Sequence, residues 1–560
     1  MSTNKYNYKI WLVFLLIASL FFIIILRLFY LQVIKHEFYK KKSRDQQERI
    51  IKLNPVRGDI IDRNGQLLAT SVKAYSVYAD PFLIRDKQKA AAAISEYLNV
   101  SNPQIWDTSR RFVWVKRKVP QEIKDKIDIT GIYFLPDTKR AYPGKFNAAQ
   151  LLGFVNIDDD GASGLEHYYN NILKGSPGSM IMESDPSGKF IYSYNQKIYP
   201  AKNGKKLQLT IDKNIQFMME NELQKAVETF QAKSAVAIMM DIKTGEILGM
   251  ANYPYFDPNH YSEYNPQYFQ NNAIAMAIEP GSVMKLFTVA AALEEKVINI
   301  SQLIYIPEKL VVNGTIIEEA HKEEASSKSV TEIIEKSLNV GAAKIGLMLG
   351  RDKLYKYLSL LEFGKVSQMN IPGENSGILN PYTNWSQVDL SRISFGYSIA
   401  VTPIQLIKAA SVFGNEGYMV QPYIIIDKHH HPKKSKRIFS SRTAKQMLDM
   451  MHGVVEEGTG TLTRIKGFSI GGKTGTARRF VQENNAYLPG SYNNSFLGIF
   501  PISRPAYIML VVITDPQTNK FASMTAVPVF KNIAQQVLRY KQLPPDKRLT
   551  EDVIVITSNR

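Results

Sequence analysis

Cysteine is absent from the 560 residues of this chain. That excludes disulfides, thiolate metal sites and a cysteine nucleophile, whichever redox compartment the chain works in. A second long apolar run is missing too: beyond the N-terminal one, no stretch of about 18 apolar residues follows, so the pattern is a short tail, one span and a large soluble part. Acidic residues are in short supply. Lys+Arg 69 against Asp+Glu 51 gives +18, a balance that favours anionic surroundings such as nucleic acid, an anionic membrane or a negatively charged wall. No internal repeat is visible. With 45% hydrophobic and 21% charged residues, a mainly disordered or fibrous chain is excluded, and the length allows about three or four domains.

The segment Ile10 to Leu26 carries no charge, and the apolar character continues past Arg27 to Ile34. About 25 residues at about 1.5 Å each make roughly 37 Å of helix, enough to cross a hydrocarbon core. A cleaved signal peptide would have a shorter apolar region ending in a small-x-small site. This run ends in Leu28, Phe29, Tyr30 and Leu31 instead, so an uncleaved anchor over 10–34 is expected. The flanking charges point the other way from the chemistry below. Lys5 and Lys9 precede the span while Lys35, Lys40, Lys41, Lys42 and Arg44 follow it, and the positive-inside rule would leave the large part in the cytoplasm.

Downstream, Asn64-Gly65 between apolar segments predicts a hairpin within Asn54 to Asp80. Arg57-Gly58-Asp59, which has the form of an adhesion tripeptide, is read there as structural. A glycine turn is expected in Ser184 to Ser193, and a strand at Leu207 to Thr210 leads to a helix near 213–227 capped by Asp212. Ala235 to Asn252 reads as two strands joined around Thr244-Gly245. Helices are expected near 283–297, 331–348, 401–413, 441–456 and 527–541, and strands at Ser495 to Phe500 and Tyr507 to Thr514. Strands early and late with helices between predict one mixed domain whose sheet is completed by distant parts of the chain. His429-His430-His431 lacks the spacing of a metal-ligand set and reads as a solvated loop.

Three short segments could carry chemistry. In Glu279-Pro280-Gly281-Ser282-Val283-Met284-Lys285, Ser282 falls at a helix start and Lys285 nearly one turn later on the same face. A serine hydroxyl needs a base at neutral pH, and a lysine with a lowered pKa can serve, although alone the pair reads more readily as a solvated helix surface. Ser337-Leu338-Asn339 offers a hydroxyl and an amide in a helical context. Gly472-Lys473-Thr474-Gly475-Thr476-Ala477 offers a cation and hydroxyls beside a glycine that lets another backbone lie close. As a strand, it would turn Lys473 and Gly475 to one face and Thr474 and Thr476 to the other, so a ligand at the strand edge is needed to meet both sets.

The stretch Gly467 to Thr474 also matches the GxxxxGK[ST] phosphate loop. Gly475 follows at once, however, and Thr476 to Phe480 is a poor opening for the required helix. The acidic metal holder wanted at the end of a buried strand is approached only by Asp515, where Tyr507 to Thr514 enters the turn-like Pro516. Nucleotide binding is rejected.

Taken in order, the three segments make the sequence resemble a class B penicillin-binding protein, specifically the FtsI-type cell-division peptidoglycan transpeptidases. The resemblance runs from Arg27-Leu28-Phe29-Tyr30-Leu31-Gln32-Val33 through Arg57-Gly58, Asp62 to Gly65, Gly161 to Glu166, Leu209 to Asp212, Ser394-Phe395-Gly396 and Val401-Thr402-Pro403 to Pro528-Val529-Phe530. It implies an α/β chain with a single N-terminal transmembrane helix, an elongated α+β pedestal, and a serine β-lactamase-like transpeptidase domain with a central antiparallel sheet flanked by helices. The implied division is 1–9 cytoplasmic tail, 10–34 span, 35–225 pedestal, 226–548 transpeptidase domain and 549–560 tail. Ser282 is implied as nucleophile, Lys285 as base, Ser337 as proton relay and Asn339 as the group holding Lys285 and the substrate amide. Lys473, Thr474, Gly475 and Thr476 are implied as substrate-binding, with the backbone N–H groups of Ser282 and Thr476 as oxyanion hole. No cofactor, metal or nucleic acid is implied.

The expected ligands are peptidoglycan stem peptides and β-lactams. Expected partners are a multispanning membrane glycosyltransferase and other bitopic division proteins, at the septum of the inner (cytoplasmic) membrane with the large domain periplasmic. The extracytoplasmic substrate is what overrides the charge count. An elongation-specific enzyme and a β-lactam sensor or idle scaffold are the alternatives. Hydrolysis, a D,D-carboxypeptidase reaction, is an expected side activity because water can replace the acceptor amine. Leu338 departs from relatives that carry a small or polar residue there, which bears on groove shape.

Overall fold

The computed structural model describes residues 4–547 apart from 111, 185–189, 192–196, 322, 428–435 and 482–485. The glycine turn at Gly188, the histidine triplet and the expected tail 549–560 lie outside the described residues. The chain forms two compact units, Met1–Val56 with Lys174–Gly204, and Arg57–Leu173 with Lys205–Arg560.

In the first unit a helix at Asn4–Phe29 runs into a π-helical turn at Tyr30–Ile34. Asn7–Ile34, 28 residues, is long and apolar enough to cross a membrane, and none of it is buried in protein. An apolar helix exposed on all sides needs lipid rather than water around it. A polar helix at His36–Gln47 follows. The strand Glu48–Leu53 then pairs antiparallel with Gly178–Ser184, which also pairs with Phe190–Ile191 and Lys197–Tyr199.

The second unit opens with the expected hairpin: Ile60–Ile61 pairs with Leu67–Ala79, and Gly65 takes the left-handed conformation its turn requires. Leu67–Ala79 also pairs with Val113–Val119 and Ile132–Ala141. Arg57 is buried, its Nε 2.6 Å from Glu166 Oε2, while Arg140 Nε lies 2.6 Å from Glu166 Oε1. Arg57 also donates to the Asp159 carbonyl and to Asn170 Oδ1. Its role is therefore structural, since a buried arginine cannot serve an adhesion tripeptide.

A second five-stranded sheet comprises β1 (Ser234–Asp241), β2 (Ile247–Tyr253), β3 (Gly471–Val481), β4 (Ala486–Phe500) and β5 (Tyr507–Thr514), in the order β2-β1-β5-β4-β3 and antiparallel throughout. Early and late strands thus complete one sheet, as the sequence pattern predicts. Both faces are covered, which is why these strands read as continuous apolar runs rather than alternating ones. Ala235, Ala237 and Met239 pack towards α1 (Lys213–Phe230) and α7 (Ala526–Tyr540). Val236, Ile238 and Met240 join the core of α2 (Lys285–Glu294), α4 (Asn339–Leu349) and α5 (Pro403–Gly414). Helix α6 (Ser441–Glu456) contributes Met447, Met451 and Val454 to that core. Asp212 caps α1 by accepting from Asn214 and Ile215 N–H.

One expected helix is divided. The pattern over 331–348 yields α3 (Val330–Glu335) and then α4, with Ser337 between them at φ 61°. A non-glycine residue held in the left-handed region costs on the order of 1–3 kcal/mol and persists only where its surroundings impose it. Apolar periodicity carries straight through such a break because the residues on both sides face the same core. Likewise the stretch 283–297 begins as a 3-10 turn, Gly281–Met284, before α2.

Candidate active site

The turn before α2 is wedged against the sheet edge. Gly281 N–H donates to the Gly396 carbonyl at 3.1 Å, and a Cβ on Gly475 of β3 would stand 2.9 Å from the Pro280 carbonyl oxygen. Only glycine at 475 lets the serine turn lie this close to the strand. Ser282, half-buried, consequently faces a cleft of about 680 Å³ also lined by Ser337, Asn339, Thr474 and Thr476.

Lys285, fully buried, projects from the first turn of α2. Its Nζ donates to the Ser337 carbonyl at 2.5 Å and to Asn339 Oδ1 at 2.8 Å, with Ser337 Oγ at 3.4 Å. Burial pushes the ammonium down to about 7, against the opposing pull of the Glu319 carboxylate. Lys473, also fully buried, donates to Ser337 Oγ at 2.7 Å and to the Thr474 carbonyl at 3.4 Å. Burial first, and the Lys285 cation second, hold it well below the ordinary lysine range. Two amines meeting at one hydroxyl cannot both stay protonated cheaply, so the arrangement supplies a free amine near neutral pH.

The edge strand β3 behaves as its alternation predicts. Lys473 turns under the strand towards Ser337, whereas Thr474 and Thr476 line the cleft, with Thr476 Oγ1 accepting from Ala522 N–H at 3.1 Å. Lys473 and Thr474 sit within a paired strand, not in the loop before a helix that phosphate binding would need. The structure thus brings Ser282, Lys285, Ser337, Asn339 and the Lys473 to Thr476 strand around one cleft. Leu338 also lines the cleft but is only 3% exposed, most of its bulk being taken into the core. Among the described residues no cluster of His, Asp or Glu could hold a metal ion.

Several residues at the cleft escape sequence reasoning. Thr459, just beyond α6, has its Oγ1 2.7 Å from Thr474 Oγ1. Glu279, three residues before Ser282, accepts from Ser398 N–H at 2.9 Å and from the Tyr487 hydroxyl at 3.0 Å, and Arg392 donates to that hydroxyl. Glu319 accepts from the backbone N–H groups of Asn339 and Val340. The one local signal was Asn313-Gly314, which marks a hairpin turn ahead of Glu319. Nothing in the sequence says where that hairpin docks.

Comparison with known proteins agrees with this geometry. Residues 235–535 match the penicillin binding protein transpeptidase domain, and residues 52–209 match the penicillin-binding protein dimerisation domain. Stage V sporulation protein D of Bacillus subtilis is 32% identical over 554 residues, covering 95% of this chain and 85% of that protein. Peptidoglycan D,D-transpeptidase FtsI of Escherichia coli is 31% identical, covering 94% of this chain and 90% of its own. Among solved structures, penicillin binding protein 3 of Mycobacterium tuberculosis complexed with aztreonam shares the fold, with a TM-score of 0.70 at 24% identity, covering 89% of this chain and 99% of that one.

Proposed function

This chain belongs to the class B penicillin-binding proteins, serine-type D,D-transpeptidases that act on peptidoglycan stem peptides and bind β-lactams, and from that premise we propose how its residues divide the work and where it acts. Ser282 Oγ attacks the carbonyl carbon of the penultimate D-Ala. Lys285, unprotonated, takes the hydroxyl proton as the C–O bond forms. The C–N bond to the terminal D-Ala then breaks, and Ser337, which accepts from both lysines, relays the proton to the departing amine. Asn339 holds Lys285 and the substrate amide. The N–H groups of Ser282 and Thr476 meet the developing oxyanion. Lys473, Thr474 and Thr476 take the terminal carboxylate, and Gly475 leaves room for the substrate backbone along the strand edge. In the second half an amine from a neighbouring stem attacks the ester, forms the cross-link and returns the proton to Ser282. Where water takes the place of that amine, the stem is trimmed instead.

The observation that carries this reading is the shared hydroxyl of Ser337 between two buried lysines. An arriving carboxylate gives Lys473 a counter-charge and favours its protonated form. A protonated Lys473 in turn disfavours protonation of Lys285, so substrate binding itself readies the base.

The cellular role we assign is septal. Asn339 and the Arg478-Arg479 pair resemble the division branch, and the Escherichia coli relative bears the name FtsI. Residues 35–225 serve as a non-catalytic pedestal and 226–548 as the catalytic domain. The apolar helix anchors the chain with its large part outside the cytoplasmic membrane, and glycan strands come from a separate membrane glycosyltransferase among other bitopic division proteins. A test is depletion of the protein: filaments of normal width are expected, whereas rounded, widened cells assign it to elongation. Cross-linked product from purified chain and its polymerase partner is the biochemical counterpart, and a penicillin adduct without any cross-linking or trimming would reduce the chain to a sensor or scaffold. A role in a specialised wall is the second reading, favoured by similarity to the sporulation protein. Normal vegetative division in the depleted strain would select it.

A further inference from the structure

The hairpin of Lys309–Val312 and Thr315–Glu318, turned at Asn313-Gly314, delivers Glu319 to the start of α4. There the carboxylate is used on both oxygens: Oε2 accepts from Asn339 N–H, and Oε1 from Val340 N–H at 2.8 Å. A carboxylate bridging the first N–H groups of a helix is favoured by hydrogen bonding and by the helix dipole. Here the clamped residue is itself functional. Asn339 Oδ1 holds Lys285 Nζ at 2.8 Å, and Asn339 Nδ2 donates back to the Glu318 carbonyl at 3.2 Å. Ser337, whose carbonyl also holds Lys285, sits two residues earlier in the left-handed conformation. The break between α3 and α4 therefore has an external fastening on its C-terminal side, and the positions of two of Lys285's acceptors depend on it.

We propose that Glu319 is a positioning residue of this site: its carboxylate fixes the start of α4 so that Asn339 holds Lys285, and its negative charge sets the pH at which Lys285 is free to accept a proton. The proposal rests on Lys285 acting as the base for Ser282. Glu319 is the carboxylate whose charge favours the protonated form of Lys285, opposing the effect of burial. At the sheet edge, the Lys285 cation in turn disfavours protonation of Lys473. The hairpin's exit also places Glu318, His321 and Glu323 at the cleft, and Lys336, Arg478 and Lys520 face it from other elements. Glu319 lines the same cleft, and it is joined to Lys285 through one intervening residue, Asn339.

The experiment is the acylation rate of the full-length chain with a fluorescent penicillin as a function of pH, with the wild-type adduct mapped by peptide mass. Glu319→Gln keeps the shape but removes the charge. Its acid limb should move to lower pH by about half a unit or more, and its plateau should fall about threefold or more as one N–H loses its acceptor. Glu319→Asp, which retains the charge, should keep the wild-type acid limb while losing part of the plateau. Melting temperatures of the variants establish that each is folded. A Glu319→Gln profile that superimposes on wild type overturns the inference. So does a lowered plateau with an unmoved limb, which would make Glu319 a structural cap only. Those failures leave the Ser282 and Lys285 assignment standing; a wild-type adduct on a residue other than Ser282 overturns that assignment and this inference together.

Discussion

Two regions of this chain bury several charges each, and they use different cations. Near the start of the second unit, Arg57 and Arg140 enclose Glu166, each at 2.6 Å from one of its oxygens, and all three are almost completely buried. At the cleft, Lys285 and Lys473 are equally buried but meet a hydroxyl, an amide and carbonyls. Guanidinium stays protonated under all ordinary conditions, so burying it demands a fixed carboxylate and yields a rigid joint. Ammonium can give up its proton when burial makes the charge too costly. Charge compensation thus separates a carboxylate-paired cluster from one whose amines are pushed towards the neutral form within a single fold.

The largest expected effect is at the lysine cluster. Ser282→Ala should abolish covalent labelling by penicillin, read by intact mass, because no side-chain oxygen remains to form the ester; a stoichiometric adduct on the folded variant would place the nucleophile elsewhere. Lys285→Ala should slow labelling by at least about 100-fold while the protein stays folded, since a positioned base contributes about that much or more and alanine suits the helix. Lys285→Arg sharpens the comparison: a guanidinium should restore the buried charge without restoring the rate. Wild-type labelling should fall about tenfold per pH unit below about 7 and level off above it, because protonation of Lys285 on the acid side removes the base.

At the carboxylate-paired cluster the effect is on stability. Glu166→Gln leaves two buried guanidinium groups without their carboxylate and should cost about 3–5 kcal/mol, measured by denaturant melting, while labelling per folded molecule stays at the wild-type rate. A labelling defect as large as that of Lys285→Ala would break the distinction. The smallest change is expected for Thr459→Val, which removes the hydroxyl beside Thr474. One neutral hydrogen bond contributes about 0.5–1.5 kcal/mol, so stability should fall by no more than that and labelling should slow by no more than roughly tenfold.

The apolar span, the Asn64-Gly65 turn, the Asp212 cap and the helix over Ser441–Glu456 were legible because each depends on neighbours within a turn or two along the chain. The completion of the sheet by β4 and β5 could be read from early and late strands with helices between, but the order β2-β1-β5-β4-β3 could not, since pairing partners are chosen by packing.

What the sequence determined by itself was therefore the chemical inventory: no thiol, one membrane-long apolar helix, a serine and a lysine one turn apart, and an ordered set of short segments whose residue types suit acyl transfer. Only the tertiary structure decided which of those groups are brought together and buried. Lys285 lost water because α2, α4 and β3 close around it, Ser337 was forced left-handed between two helices that sequence periodicity merges, and Glu319 reached Asn339 from a hairpin 20 residues away. Local spacing fixes which side chains share a face; the dielectric surroundings and counter-charges that set a proton's affinity are supplied by segments far apart in the chain, which only folding brings within reach.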